Sequence, residues 1–271
     1  MKTIFAGAFF IACAFLVSCR KEKLPQSSPA ESSSQKNDIV NNARAGKYTN
    51  PFESLGIEHN QALEFVTHAS GFPNLSNQQL YDAVSPFTAA LHHNPKMSPA
   101  EYQDFRTRID KMVESSNNPA SLLLKEGKIS LEMKNLMDEF YHILEPFGKS
   151  LAPLSPNELN AKVLAFEQST VARFGMPSAD LNHNTIIAAI LADAAVARHS
   201  YAFWYDAYTN SSNPWHPLLT QTNNNSRPNW RRACAIVKAD IVGFFSDIGQ
   251  VPGFIDLGNA IENAIDASAA I

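Results

Sequence analysis

Ile186-Ile187-Ala188-Ala189-Ile190-Leu191-Ala192-Asp193-Ala194-Ala195-Val196-Ala197 decides the fold of this chain. Wound as a helix, the run is apolar on nearly every side, as expected of a helix at the centre of a bundle. It belongs to a helix predicted over 183–209, which also carries Tyr201, Trp204, Tyr205 and Tyr208. One charge, Asp193, interrupts the run. A carboxylate there needs either a narrow exposed face or a partner. Arg198 is five residues on and poorly placed within the helix. Arg173, Arg231 or Arg232 is therefore the expected counter-ion, in a buried ion pair.

Helical signals continue outward in both directions. Asn50-Pro51 opens a helix to about residue 70, with proline in the first turn and Glu53 near the positive end of the dipole. Gly71-Phe72-Pro73 stops it, and Ser76 caps a second helix running to about residue 92. Ser98-Pro99-Ala100-Glu101 has the capping-box form and starts a third, with Tyr102, Phe105, Ile109, Met112 and Val113 at three/four spacing. A fourth is predicted over about 121–147, with Gly127 as a break near its start. Ser155-Pro156-Asn157-Glu158 starts a fifth. After the central helix, Pro214-Trp215-His216-Pro217 and Asn223-Asn224-Asn225-Ser226-Arg227-Pro228 read as a polar, proline-punctuated loop. A last helical region spans 229–271, broken near Val251-Pro252-Gly253. No stretch has the two-residue period of a strand, and no repeat is visible. The expectation is an all-α, irregular bundle of about seven or eight helices, one domain over 50–271.

The N-terminus is of another kind. Met1-Lys2 precedes an uncharged apolar run, 4–17, that ends in Leu16-Val17-Ser18-Cys19. The run is short for a hydrocarbon core of about 30 Å but suits the apolar region of a signal peptide. Its end resembles the lipobox of bacterial lipoproteins. In that family the cysteine is diacylated, the leader is removed and the new N-terminus is acylated again. The resemblance implies a signal peptide over 1–18, a lipidated Cys19 and the lipid bilayer as a partner. Three acyl chains make a durable anchor, since each buried CH₂ contributes about 0.8 kcal/mol. Residues 19–49 then form the acylated cysteine and a disordered tether. Ser27-Ser28-Pro29-Ala30-Glu31-Ser32-Ser33-Ser34 has no apolar period with which to offset its ordering entropy. Surface-exported lipoproteins of the Bacteroidota tend to carry an acidic stretch after the cysteine. Arg20-Lys21-Glu22-Lys23 departs from that pattern, which points to the outer membrane with the domain on its periplasmic side.

The resemblance extends over 50–63. Asn50-Pro51-Phe52 followed by Gly56, His59, Asn60 and Leu63 gives N-P-[FY]-x-x-x-G-x-x-H-N-x-x-L. This looks like the opening of a group of helical lipoproteins from Bacteroidota. It implies a location and no mechanism.

Composition excludes several classes of function. Acidic side chains outnumber basic ones, 26 to 22, and there is no basic stripe, so nothing draws the domain to nucleic acid. Of three cysteines, Cys13 leaves with the leader and Cys19 is acylated. Cys234 is left without an intramolecular partner and reads as a buried small side chain rather than a nucleophile. Glu139-Phe140-Tyr141-His142 has the E-x-x-H spacing of di-iron bundles but no second copy. Its apolar stripe also turns His142 outward, so neither a metal nor a cofactor is expected. His59 is expected to donate to an Asn or the backbone and fix the first helix. Ala260, Ala264 and Ser268 recur at four-residue spacing, which suits close helix packing inside the bundle; acidic residues interrupt the tail, and a spanning helix is not expected.

The candidate ligand site lies in an aromatic concentration. Trp204, Trp215 and Trp230 fall within 27 residues, with Asp206, His216 and Arg227 between them. Flat apolar faces beside amides and charges suit a sugar or an aromatic ligand. The same rings also suit packing of the bundle end and its loop onto the core, which is the favoured reading and the expectation for Trp204; the pocket stays open for Trp215. Two functions stay open on the sequence alone. One is a tethered helical module that binds an unidentified protein or small molecule. The other is an enzyme acting on an envelope glycan or peptide at 201–230.

Overall fold

The computed structural model describes residues 48–92, 97–114, 119–150, 153–178, 185–220, 229–245 and 257–270. The stretches expected as leader and tether up to residue 47, Cys19 among them, and Arg227 lie outside the described residues. Within them the chain is all-helical. The ten helices are α1 (Glu53–Val66), α2 (Asn77–His92), α3 (Pro99–Glu114), α4 (Pro119–Lys125), α5 (Leu131–Lys149), α6 (Pro156–Phe174), α7 (Ile186–Thr209), α8 (His216–Thr220), α9 (Trp230–Phe244) and α10 (Leu257–Ala270).

The central helix is α7, as its apolar run predicts. Thr185 caps it by accepting the Ala188 N–H at 3.3 Å. Every side chain from Ala188 to Ala197 is buried, Asp193 included. Around α7 pack α1, α6, α9 and α5, while α10 lies against α9, α2 and α1. Leu55, Leu63, Leu136, Phe140, Val163, Phe166, Ile241 and Phe244 fill the space between them.

Two elements differ from the sequence expectation. The expected fourth helix is two helices, α4 and α5. Gly127 adopts φ 71°, and Lys128 N–H and Gly127 N–H return to the carbonyls of Leu123 (2.9 Å) and Leu124 (3.0 Å). That is a Schellman ending, and it needs a residue that tolerates the left-handed region. Ser130 then caps α5 through the Met133 N–H. The second difference is α8, in the stretch expected as a loop. Its Pro217 sits in the first turn, where a missing N–H costs nothing, and Leu218 and Leu219 point into the core.

The small residues of the tail serve tight packing. From Ala260 to Ser268 all side chains are buried except the half-buried Glu262. A Cβ on Gly243 of α9 would stand 2.6 Å from the Asn263 carbonyl oxygen and 2.8 Å from Ala267 Cβ. The contact between α1 and α7 is as close. A Cβ on Gly56 would stand 2.7 Å from the Ala195 carbonyl oxygen and 2.5 Å from His199 Cδ2.

Helix propensity and packing therefore oppose each other at Gly56. Alanine would favour the helix by about 1 kcal/mol. The backbone oxygen cannot move aside, and overpacking of this kind costs about 1–3 kcal/mol or more. Gly56→Ala is expected to lower the denaturation midpoint; an unchanged or raised midpoint would show that α1 does not sit this close.

Candidate functional site

The three tryptophans are core side chains. Trp204, Trp215 and Trp230 are 1%, 4% and 3% exposed. They fall into two groups. Trp204 meets Trp215 edge to face at 5.3 Å, and Phe72 meets Trp215 at 4.8 Å. Trp230 packs instead on Tyr201 (5.5 Å) and Tyr208 (5.3 Å). No indole face is open for stacking: the core packing expected of Trp204 extends to Trp215, the ring held open for a pocket. Its polar neighbours fasten the segment after α7. Exposed Asp206 accepts from Asn213 Nδ2 (2.7 Å), and Asn213 Oδ1 accepts the Trp215 N–H (2.8 Å). His216 Nδ1 lies 2.9 Å from the Ala207 carbonyl oxygen, as a donor.

Other singled-out residues have structural places. Glu139 pairs with Arg173 at 2.9 Å, and His142 is exposed. Cys234 is half-buried and donates to the Phe147 carbonyl at 3.6 Å. Burial pushes its thiol up to about 12, so it holds its proton and is a poor nucleophile.

Asp193 has no ion pair among the described residues, contrary to expectation. It is fully buried, and neither carboxylate oxygen has a hydrogen-bond partner among the described residues. Arg173 is taken by Glu139, Arg232 Nη1 donates to the Leu218 carbonyl (2.8 Å), and Arg198 serves two other acids. Burial, reinforced by the nearby Asp240 carboxylate, holds the Asp193 pKa well above the usual range. The acid escapes the cost of an unpaired buried charge by staying neutral.

Two polar groups not foreseen from the sequence lie along α7. In the first, His59 of α1, Ser200 of α7, Asp240 of α9 and Ser268 of α10 meet inside the bundle. Ser200 Oγ donates to Asp240 Oδ2 (2.5 Å) and Ser268 Oγ donates to Asp240 Oδ1. His59 Nε2 is 3.4 Å from Asp240 Oδ2 and 3.3 Å from Ser268 Oγ, while Nδ1 faces Asn60 Oδ1 at 3.1 Å. These are the residue types of a nucleophilic triad in a different arrangement. A triad sets the carboxylate on Nδ1 and points the serine at Nε2. Here both hydroxyls donate to the carboxylate, carboxylate and serine share Nε2, and all four side chains are buried. Both hydroxyls are thus committed to the carboxylate, and the group joins four helices.

The second group centres on Arg198. Its guanidinium grips Glu53 of α1 with two nitrogens, and Nε reaches Glu167 Oε1 of α6 at 3.2 Å. His199 Nε2 lies 2.6 Å from Glu53 Oε1. Asn50 Nδ2 donates to Glu167 Oε1 (3.0 Å) and to the Leu191 carbonyl (2.7 Å), and its Oδ1 accepts the Phe52 N–H (2.9 Å). Burial would raise the Glu53 carboxyl, but hydrogen bonds from His199 and Arg198 outweigh it and bring it down to about 2. For Glu167 burial wins over Arg198, and its carboxyl is pushed up to about 7. Asn60 Nδ2, donating to the His199 carbonyl (3.1 Å), links the two groups.

The motif over 50–63 thereby acquires a physical meaning. Asn50, Gly56, His59 and Asn60 all contact α7 or the groups beside it, and Phe52 and Leu63 are buried. Its letters describe how α1 docks. No protein-family model, curated protein or solved structure matches the chain.

The buried acids set a pH dependence. Glu167, Asp193 and Asp266 bind protons more tightly folded than unfolded. The stability they lend is complete below the unfolded value and is lost as pH rises towards their folded values. Glu53 acts in the opposite sense, and its contribution fades as pH falls from about 4.5 to about 2. Stability should peak near pH 3.5–4, where Glu53 is ionised in the folded chain and the unfolded aspartates still hold most of their protons, with the melting temperature about 5–10 °C lower by pH 8. A melting temperature that is flat or rises over that interval would contradict the assignment.

Proposed function

We propose that this chain is a lipid-anchored protein of the bacterial cell envelope, acylated at Cys19 and seated in the outer membrane. Its helical domain stands in the periplasm as a binding or interaction module for a protein or a small molecule. The observation that carries the anchor is Leu16-Val17-Ser18-Cys19 after an uncharged apolar run. A lipid anchor plus a flexible linker confines a domain to within tens of ångströms of a surface, at about 5–6 Å times the square root of the linker length. That is a useful property for a module whose partner lies in the same layer.

A module is favoured over an enzyme by how the reactive side chains are engaged. The serine, histidine and aspartate that meet inside the bundle hold helices together. The enzyme reading rested on an open aromatic surface at 201–230, and the burial of all three indoles removes that support.

The anchor is tested by labelling cells with a fatty acid. Wild-type chain should carry label and partition with membranes. Cys19→Ser should lose the label and remain either unprocessed or soluble. Equal labelling of the two would overturn the anchor.

A further inference from the structure

The segment that enters the domain is held by a group of charges that is one proton away from imbalance. Residues 48–52 run onto the bundle between α6 and α7, and Asn50 is their fastening. One of its two carboxamide donor contacts is Glu167 Oε1, which Arg198 Nε also uses. The other oxygen, Glu167 Oε2, is buried and has no partner among the described residues. Glu167 is 0% exposed.

The groups facing Glu167 can be named element by element. The entry segment presents Tyr48, α1 presents Glu53, and α7 presents Arg198 with His199 beside it. Asn160, about two turns before Glu167 on α6, accepts from Arg198 Nη1 at 3.1 Å. One guanidinium thus serves two acids. With a proton on Glu167, Arg198 and Glu53 cancel and the group is balanced. Without it, a second negative charge stands in the interior with one oxygen unsolvated, and such a charge is costly to bury. Letting water reach Glu167 relieves that cost. The side that can yield is the entry segment, because α6 and α7 are held by the apolar core, whereas none of residues 48–51 belongs to that core and Asn50 is fixed by its hydrogen bonds.

We propose that Asn50, Glu53, Glu167 and Arg198 form a proton-operated latch at the mouth of the domain. With Glu167 protonated, residues 48–51 are held on α6 and α7; with Glu167 ionised, they come free and lengthen whatever linker precedes them. The proposal does not depend on acylation of Cys19. The folded-state value of about 7 for Glu167 places the change near neutrality. Glu53 stays ionised throughout, and Tyr48 is pushed upward by burial, so neither titrates in the interval.

Amide hydrogen exchange on the full chain tests it, with rates corrected for intrinsic exchange. The reporter is the Phe52 N–H, which is bound to Asn50 Oδ1. Its protection should fall about tenfold or more between pH 5.5 and pH 8.5, while amides of α9 keep theirs. Glu167→Gln keeps an acceptor oxygen for Asn50 and Arg198 but cannot ionise, so it should hold protection constant. Unchanged protection in the wild type, or an equal fall in Glu167→Gln, would overturn the latch. If the variant does not fold, a ¹³C carboxyl titration of the wild type decides. The Glu167 and Asn50 side-chain signals should move together near neutral pH. A Glu167 carboxyl already ionised at about pH 5 would overturn the proposal.

Discussion

Arg198 must be paired where it stands, and that requirement fixes where two other helices lie. It is 8% exposed, on a helix whose preceding two turns are wholly buried. A guanidinium does not shed its charge, so it cannot adopt the solution open to Asp193. Glu53 of α1 and Glu167 of α6 come to it from two sides, 145 and 31 residues away in sequence. Once Glu53 is seated, the close approach at Gly56 follows along the same face of α1. His59 and Asn60 then reach the polar groups one turn further on.

This seam contributes to specificity rather than to a large net stability. A buried ion pair is often no better than well-packed apolar side chains in the same space, yet breaking one costs about 3–5 kcal/mol. The bulk of the favourable free energy comes from the apolar side chains around α7. An irregular bundle of alanine-rich helices has many near-equivalent ways to pack, and apolar burial alone discriminates poorly between them. A register slip of α1 by one turn would leave Arg198, Glu53 and His59 unpaired in the interior. The seam penalises wrong packings, and it engages the acid, histidine and serine side chains gathered along α7.

The sequence made the fold class legible through particular residues. An apolar run around the full circumference of α7 identifies the core helix. Capping residues such as Ser76 and Ser98, with Gly127 and the prolines, place most of the boundaries. The role of His59 as a structural donor is legible because its partner Asn60 is adjacent. Partners distant in sequence are not legible. Ser268 reaches His59 across 209 residues, and no local pattern announces it. Asp193 illustrates the same limit in reverse. The rule that a buried acid needs a partner is sound, but neutralisation satisfies it as well as an arginine does, and only the packing decides. For Trp215 the ring chemistry of a pocket and of a core is identical, so burial alone separates them.

The central claim is that the contact between Glu53 and Arg198 specifies the docking of α1. A double-mutant cycle in denaturant unfolding, with Glu53→Gln, Arg198→Met and both together, isolates that contact. Two charges held this closely and largely out of water should couple by about 2 kcal/mol or more, in the range found for close, desolvated pairs. A coupling below about 0.5 kcal/mol, as for an exposed surface pair, would contradict the account.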